Sequence, residues 1–242
     1  MRRRERALLK NTKILSLIDP TEHGDEETVA RRAYRELRAA LMRGEFLPAT
    51  TLTLRALADR LGTSVMPIRE AVSRLAAEHA LEMRPNRAIR VPDLSRNEID
   101  HLWRIRLLIE SEAASLAATA ASDEQVGALS TVCEAMWQAY RASDARAMVE
   151  GTGRWTMLLA DASCSTPFIH YISNLRLRCA PLIARALAEG ISPEDPFFAF
   201  SLRLQDQIVD ALHAHDADRA HDLRLADMRS FKDVVYRRVG WA

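Results

Sequence analysis

Long apolar runs, glycine and paired cysteines are scarce in these 242 residues. No stretch approaches the ~20 consecutive apolar residues that a membrane-spanning helix needs, so no membrane partner is expected. Arg2-Arg3-Arg4 is followed by no apolar core, so no secretory signal is expected either. Cys133, Cys164 and Cys179 are scattered and odd in number. That argues against a disulfide framework or a zinc site on paired cysteines, and fits a reducing, cytoplasmic setting. Eight glycines and few β-branched runs argue against extensive sheet. There is no Gly-rich phosphate loop. None of the seven histidines pairs with another at i, i+4, and His213 and His215, two apart, face different directions. A hydrolytic zinc enzyme needs such a pair with a carboxylate base, so that class is disfavoured. Ser163, Cys164 and Ser165 have no placed histidine that would activate them. Neither a cofactor nor catalysis is expected.

What is present is apolar content of 48%, ample for cores, and an uneven charge distribution. Residues 1–94 hold 18 Lys+Arg against 13 Asp+Glu, net +5; residues 95–242 hold 16 against 20, net −4. A basic first third and an acidic remainder fit a nucleic-acid module joined to a second domain of other function.

The chain is organised around Leu54–Arg74. Leu54, Leu57, Ala58 and Leu61 recur at helical spacing. Gly62 supplies the positive φ that ends a helix, and Ser64 is the natural N-cap of the next. Pro67 falls within that helix's first turn, where its missing N–H removes no intrahelical bond. Ile68, Ala71, Val72 and Leu75 make the inner stripe, leaving Val65, Met66, Arg69, Ser73 and Arg74 outside. This pattern predicts a helix-turn-helix. An amphipathic helix over 29–43 precedes it. After it, Leu81 to Arg84 and Arg87 to Pro92 flank a Pro85-Asn86 turn, which reads as a β-hairpin wing with Arg84, Arg87 and Arg90 clustered on it.

In these segments the chain resembles GntR-type bacterial transcription regulators, through Gly44-Glu45-Phe46-Leu47-Pro48, Leu54-Arg55-Ala56-Leu57-Ala58, Met66-Pro67-Ile68-Arg69-Glu70-Ala71 and Pro85-Asn86-Arg87. Leu102-Trp103-Arg104-Ile105-Arg106-Leu107-Leu108-Ile109-Glu110 resembles the opening of the FadR-like, FCD-type effector domain. The resemblance spans roughly residues 27–238. It implies a homodimer on a short palindromic operator of double-stranded DNA. Ser64, Met66 and Arg69 would approach base edges or phosphates; Arg55, Asn86 and Arg87 would hold the backbone; Val65 and Ser73 share the outer face. Two departures stand out: Val65 lies where the family often has Arg, and Ala88 where the wing often has Gly.

Pro92-Asp93-Leu94-Ser95 is a short linker, and Ser95 with Glu98 makes a capping box. From there six helices are expected, over 95–121, 122–142, 144–162, 166–187, 193–214 and 217–239, with Pro181 a kink in the fourth. The expected fold is thus mainly α. Residues 1–26 form a basic arm, either loosely held or adding phosphate contacts. Residues 27–93 form a winged helix-turn-helix. Residues 95–239 form an antiparallel bundle of about six helices that binds effector and dimerises.

In the FCD family the bundle commonly holds a metal on an Asp and three His. By resemblance those positions fall on Thr152, Thr156, Gln205 and Asp227, a donor set that does not hold a transition metal as imidazole does. No metal is expected. The effector, by family resemblance a small organic acid or related metabolite, would meet Arg106, Thr152, Thr156, Gln205 and Asp227. Arg106 would supply the positive charge in place of the metal, or simply form a buried pair with Glu110. The function expected is a ligand-responsive repressor or activator. The alternatives are a regulator with impaired DNA binding that works through protein contacts, and an enzyme using the bundle pocket.

Overall fold

The computed structural model describes residues 28–84, 88–188, 190–192 and 195–241. The proposed arm over 1–26, the Pro85-Asn86 turn and the site residues Asn86 and Arg87 lie outside them.

Helix α1, Val29–Met42, begins where the Thr28 hydroxyl accepts the Arg31 backbone N–H at 3.2 Å. Strand β1, Thr51–Thr53, leads into α2, Leu54–Leu61. Gly62 ends α2 at φ 62°, the left-handed conformation that favours glycine. Helix α3, Val65–Ala77, follows with Ser64 as N-cap; its backbone is extended, but its hydroxyl makes no capping bond. Leu37, Leu41, Leu57, Ile68, Val72 and Leu75 bury the inner faces of all three helices in one small core. Strands β2, Glu82–Met83, and β3, Ala88–Arg90, form the expected hairpin.

The sheet has a third strand that sequence patterning did not signal. Its order is β1-β3-β2, with Thr51 opposite Arg90 and Glu82 opposite Arg90 on the other side. Three residues are too few to display a period of two, so only the partner strand reveals β1. The expected cluster of wing arginines is also altered. Both Arg84 Nε and Nη2 bond the Glu82 carboxylate, at 2.9 and 2.6 Å, which offsets the Arg84 charge locally.

The remaining helices are α4 (Arg96–Ala120), α5 (Asp123–Arg141), α6 (Ala145–Ala162), α7 (Thr166–Leu187), α8 (Pro196–His213) and α9 (Ala217–Arg238). Capping boxes start α4 at Ser95/Glu98 and α5 at Ser122/Gln125. Helix α8 starts later than the sequence suggested, because the Asp195 carboxylate caps it by accepting the Phe197 N–H at 3.0 Å. Trp103, Trp155, Leu129, Met136, Ile183 and Ile208 anchor the bundle core. Among the described residues, no helix is long and apolar enough to cross a membrane.

The two domains share α7. Its Leu177 is buried in the core of the winged helix. One turn earlier, the Ser173 hydroxyl accepts a bond from Arg38 of α1, and Asn174 Nδ2 donates to the Glu78 carbonyl at 3.2 Å. Gly44, at φ 71°, presses so closely that an added Cβ would sit 2.2 Å from Ala184 Cβ.

Candidate functional site

Two sites emerge, one on each domain. On the first, the start of α3 projects from the core. Met66 is 71% exposed despite its apolar side chain. Ser64, Ser73 and Arg55 are exposed, while Val65 and Arg69 are half-buried. The uncommitted Ser64 hydroxyl is free to contact an external partner. The Ser73 hydroxyl reaches Met83 Sδ of the wing at 3.8 Å, which ties helix to wing. Arg74 differs from the sequence expectation: it lies over the Tyr34 ring at 3.9 Å and 3.6 Å from Glu78, holding α3 against α1 rather than facing outward.

The second site is a small cavity inside the bundle, partly open to solvent. Arg106, Thr152, Thr156, Gln205 and Asp227 all line it. They come from four helices, α4, α6, α8 and α9, so only the fold brings them together. Arg106, Thr156, Gln205 and Asp227 are buried; Thr152 is half-buried. Phe197, Phe198, Met136 and Met148 supply apolar wall.

The buried pair of Arg106 and Glu110 exists, with Nε donating to Oε1 at 2.6 Å. It coexists with Arg106's place in the cavity lining; among the described residues its Nη1 has no hydrogen-bond partner. Arg224, which sequence reading did not single out, completes the network. Its guanidinium bonds Glu110 through Nη2 and Asp227 through Nη1 at 2.8 Å, and approaches the Thr156 hydroxyl at 3.4 Å. Asp227 thus pairs with Arg224 rather than Arg106. The available signal was the i, i+3 spacing of Arg224 and Asp227 on a helix whose Asp227 faces inward. Ser201 was likewise missed; its hydroxyl donates to Asp227 Oδ1 at 2.6 Å.

Electrostatics follow from this arrangement. Burial pushes the Glu110 carboxyl up, but Arg106 and Arg224 outweigh it and hold the group below the usual carboxylate range. Burial wins at Asp227, whose carboxyl is raised despite Arg224, Ser201 and Gln205. The Thr152 and Thr156 hydroxyls donate to carbonyls one turn back, at 2.8 and 2.9 Å. They retain acceptor lone pairs, but their protons are already committed. Among the described residues Gln205 Oε1 has no donor. Two residues of the cavity lining thus carry a buried atom without a hydrogen bond, a guanidinium nitrogen on Arg106 and the amide oxygen of Gln205. These suit a ligand carrying an acceptor or negative group and a donor.

A metal does not fit these residues. The guanidinium of Arg224 stands among Thr156, Asp227 and Glu110, bonded to the very carboxylates that would have to serve as ligands. Among the described residues no three His, Cys, Asp or Glu are grouped to hold an ion, and no histidine lines the cavity.

Residues 29–91 match the profile of bacterial regulatory proteins of the gntR family, and residues 101–229 match the FCD domain. The HTH-type transcriptional regulator McbR of Escherichia coli is 28% identical over 160 residues, 66% of this chain and 72% of McbR. The HTH-type transcriptional repressor GlaR of Escherichia coli is 33% identical over 91 residues, 38% of this chain and 41% of GlaR. The solved structure of Escherichia coli McbR superposes with a TM-score of 0.81 at 24% identity, covering 88% of this chain and 99% of that one, a likeness of fold.

Proposed function

The chain belongs to the GntR family of bacterial regulatory proteins and carries an FCD domain, and from that premise we propose how this transcription regulator works. It binds a short palindromic operator as a homodimer, in the cytoplasm where its DNA lies. Each protomer lays the start of α3 into a major groove, with Met66, Arg69 and Ser64 near base edges, flanked by Val65 and Ser73. Arg55, Asn86 and Arg87 hold phosphates. A small anionic metabolite enters the bundle cavity and alters DNA affinity. It meets Arg106, Thr152, Thr156, Gln205 and Asp227 without a metal.

The observation that carries this reading is that Arg106 and Gln205, both lining the cavity, each hold a buried polar atom, Nη1 and Oε1, without a hydrogen-bond partner among the described residues. A buried donor without a partner is costly, and an incoming carboxylate removes that cost. Arg69 supplies the fork that reads guanine where Val65 replaces the more usual arginine. The test is selection of bound duplexes from a random pool by the full chain. The expected result is an inverted repeat with half-sites one helical turn or less apart, bound by two chains. A single unrepeated site bound by one chain would contradict it.

A further inference from the structure

Arg176 on α7 is completely buried, yet among the described residues none of its three side-chain nitrogens has a hydrogen-bond partner. An uncompensated buried guanidinium is among the costliest arrangements a core can hold. Glu110 attracts its charge, but neither buried carboxylate hydrogen-bonds it. Glu110 is engaged by Arg106 and Arg224, and Asp227 by Arg224 and Ser201. Among the described residues three buried guanidiniums, Arg106, Arg176 and Arg224, thus stand against two buried carboxylates, an excess of one positive charge when both acids are ionised. Burial, then repulsion from Arg106 and Arg224, lowers the Arg176 guanidinium only to about 10, so it stays charged at neutral pH. Across from it lies Gly153 of α6, where even an added Cβ would remain 3.6 Å from Nη2.

We infer that Arg176 is an anion-binding residue of the effector site: a carboxylate entering the cavity pairs with both Arg176 and the unpartnered Nη1 of Arg106, cancelling the excess charge. This rests on the effector-responsive reading above. Arg176 does not line the cavity in this structure. Pairing with a ligand therefore draws its side chain, and the α7 turn that bears it, toward the cavity. The next residue, Leu177, sits in the core of the winged helix, and Ser173 and Asn174 bond Arg38 and Glu78. The ligand and the DNA-binding domain thus act on one helical turn. The effector class this selects carries a carboxylate; neutral and cationic analogues leave the Arg176 charge unmatched.

The test compares full-length wild type with Arg176→Met and Arg176→Lys. Thermal melts are recorded in sodium chloride and in sodium acetate, lactate, succinate and citrate at equal ionic strength. At least one carboxylate should raise the wild-type melting temperature by about 5 °C or more at saturation. Arg176→Met should melt higher than wild type in chloride, because the unpaired charge is gone, and should lose the carboxylate shift; Arg176→Lys should keep part of it. If Arg176→Met fails to fold, melts lower in chloride, or keeps the full shift, Arg176 is a structural residue and the inference is overturned, while the effector reading stands on the wild-type shift. If wild type responds to none of the four salts, the carboxylate assignment falls, and Arg176→Met still decides whether the apo charge is uncompensated.

Discussion

Arg224 donates to Asp227 at 2.8 Å along one helix and, through its other terminal nitrogen, to Glu110 of a second helix, so a single side chain closes the charged wall of the bundle cavity. Its guanidinium also lies 4.9 Å from the Trp155 ring. All three charged groups are almost fully buried. Removing one partner strands the others in a medium that solvates charge poorly. Arg224→Ala should therefore lose about 3–5 kcal/mol of stability, read from urea unfolding. A loss below about 1 kcal/mol would mean that water replaces the guanidinium and that the wall is not dry.

The same network sets an acid limit. The folded-state value of Glu110 lies below its unfolded value, so its contribution is complete above the unfolded pKa of about 4.3 and is lost as pH falls through the folded value. Asp227 has the opposite sign: raised in the folded state, it costs stability at neutral pH, and that cost fades as pH falls through its folded value toward the unfolded one. Glu110→Gln should thus be less stable than wild type at pH 7 and lose less on acidification to pH 3. Parallel stability curves for the two proteins over that range would contradict the assignment.

Gly44 tests the domain junction. Alanine there meets Ala184 head-on and must also adopt φ 71°. Gly44→Ala should cost about 1–3 kcal/mol in thermal unfolding and shift α1 away from α7. An unchanged melting temperature would show that the two domains separate freely in solution.

The sequence carried most of the architecture, because helices declare themselves through stripes and caps. Ser95/Glu98 and Ser122/Gln125 mark two starts to the residue, and Leu54–Leu61 is bounded by Gly62 as its spacing implies. Arg106 was legible from the inward stripe of its helix, but Thr152, Thr156, Gln205 and Asp227 only through resemblance, since Arg106 and Asp227 are 121 residues apart in the chain and no local pattern joins them. Arg224 escaped notice because one more arginine on an arginine-rich final helix reads as surface; its partner Glu110 is 114 residues away. Arg176 escaped because an arginine flanked by Leu175 and Leu177 gives no local sign of its partners, and β1 because three residues carry no period.

On the DNA face, Arg55 and Arg69 should behave differently. Arg69→Ala should weaken operator binding by about 1–3 kcal/mol and relax one position of each half-site. Arg55→Ala should weaken all sequences alike and reduce the salt slope by about one. Competition among single-base operator variants separates the two; a uniform loss in both would make Arg69 a phosphate contact.

The most direct measurement is fluorescence anisotropy of the full chain on the promoter nearest its own gene and on a random duplex of equal length, at ~100 mM salt, with and without the carboxylate that raises its melting temperature. Promoter binding should be at least about 10³-fold tighter than random binding, and promoter affinity should change clearly when the ligand is added. Equal affinity for the two duplexes, or promoter affinity indifferent to a ligand that demonstrably binds, would contradict this reading.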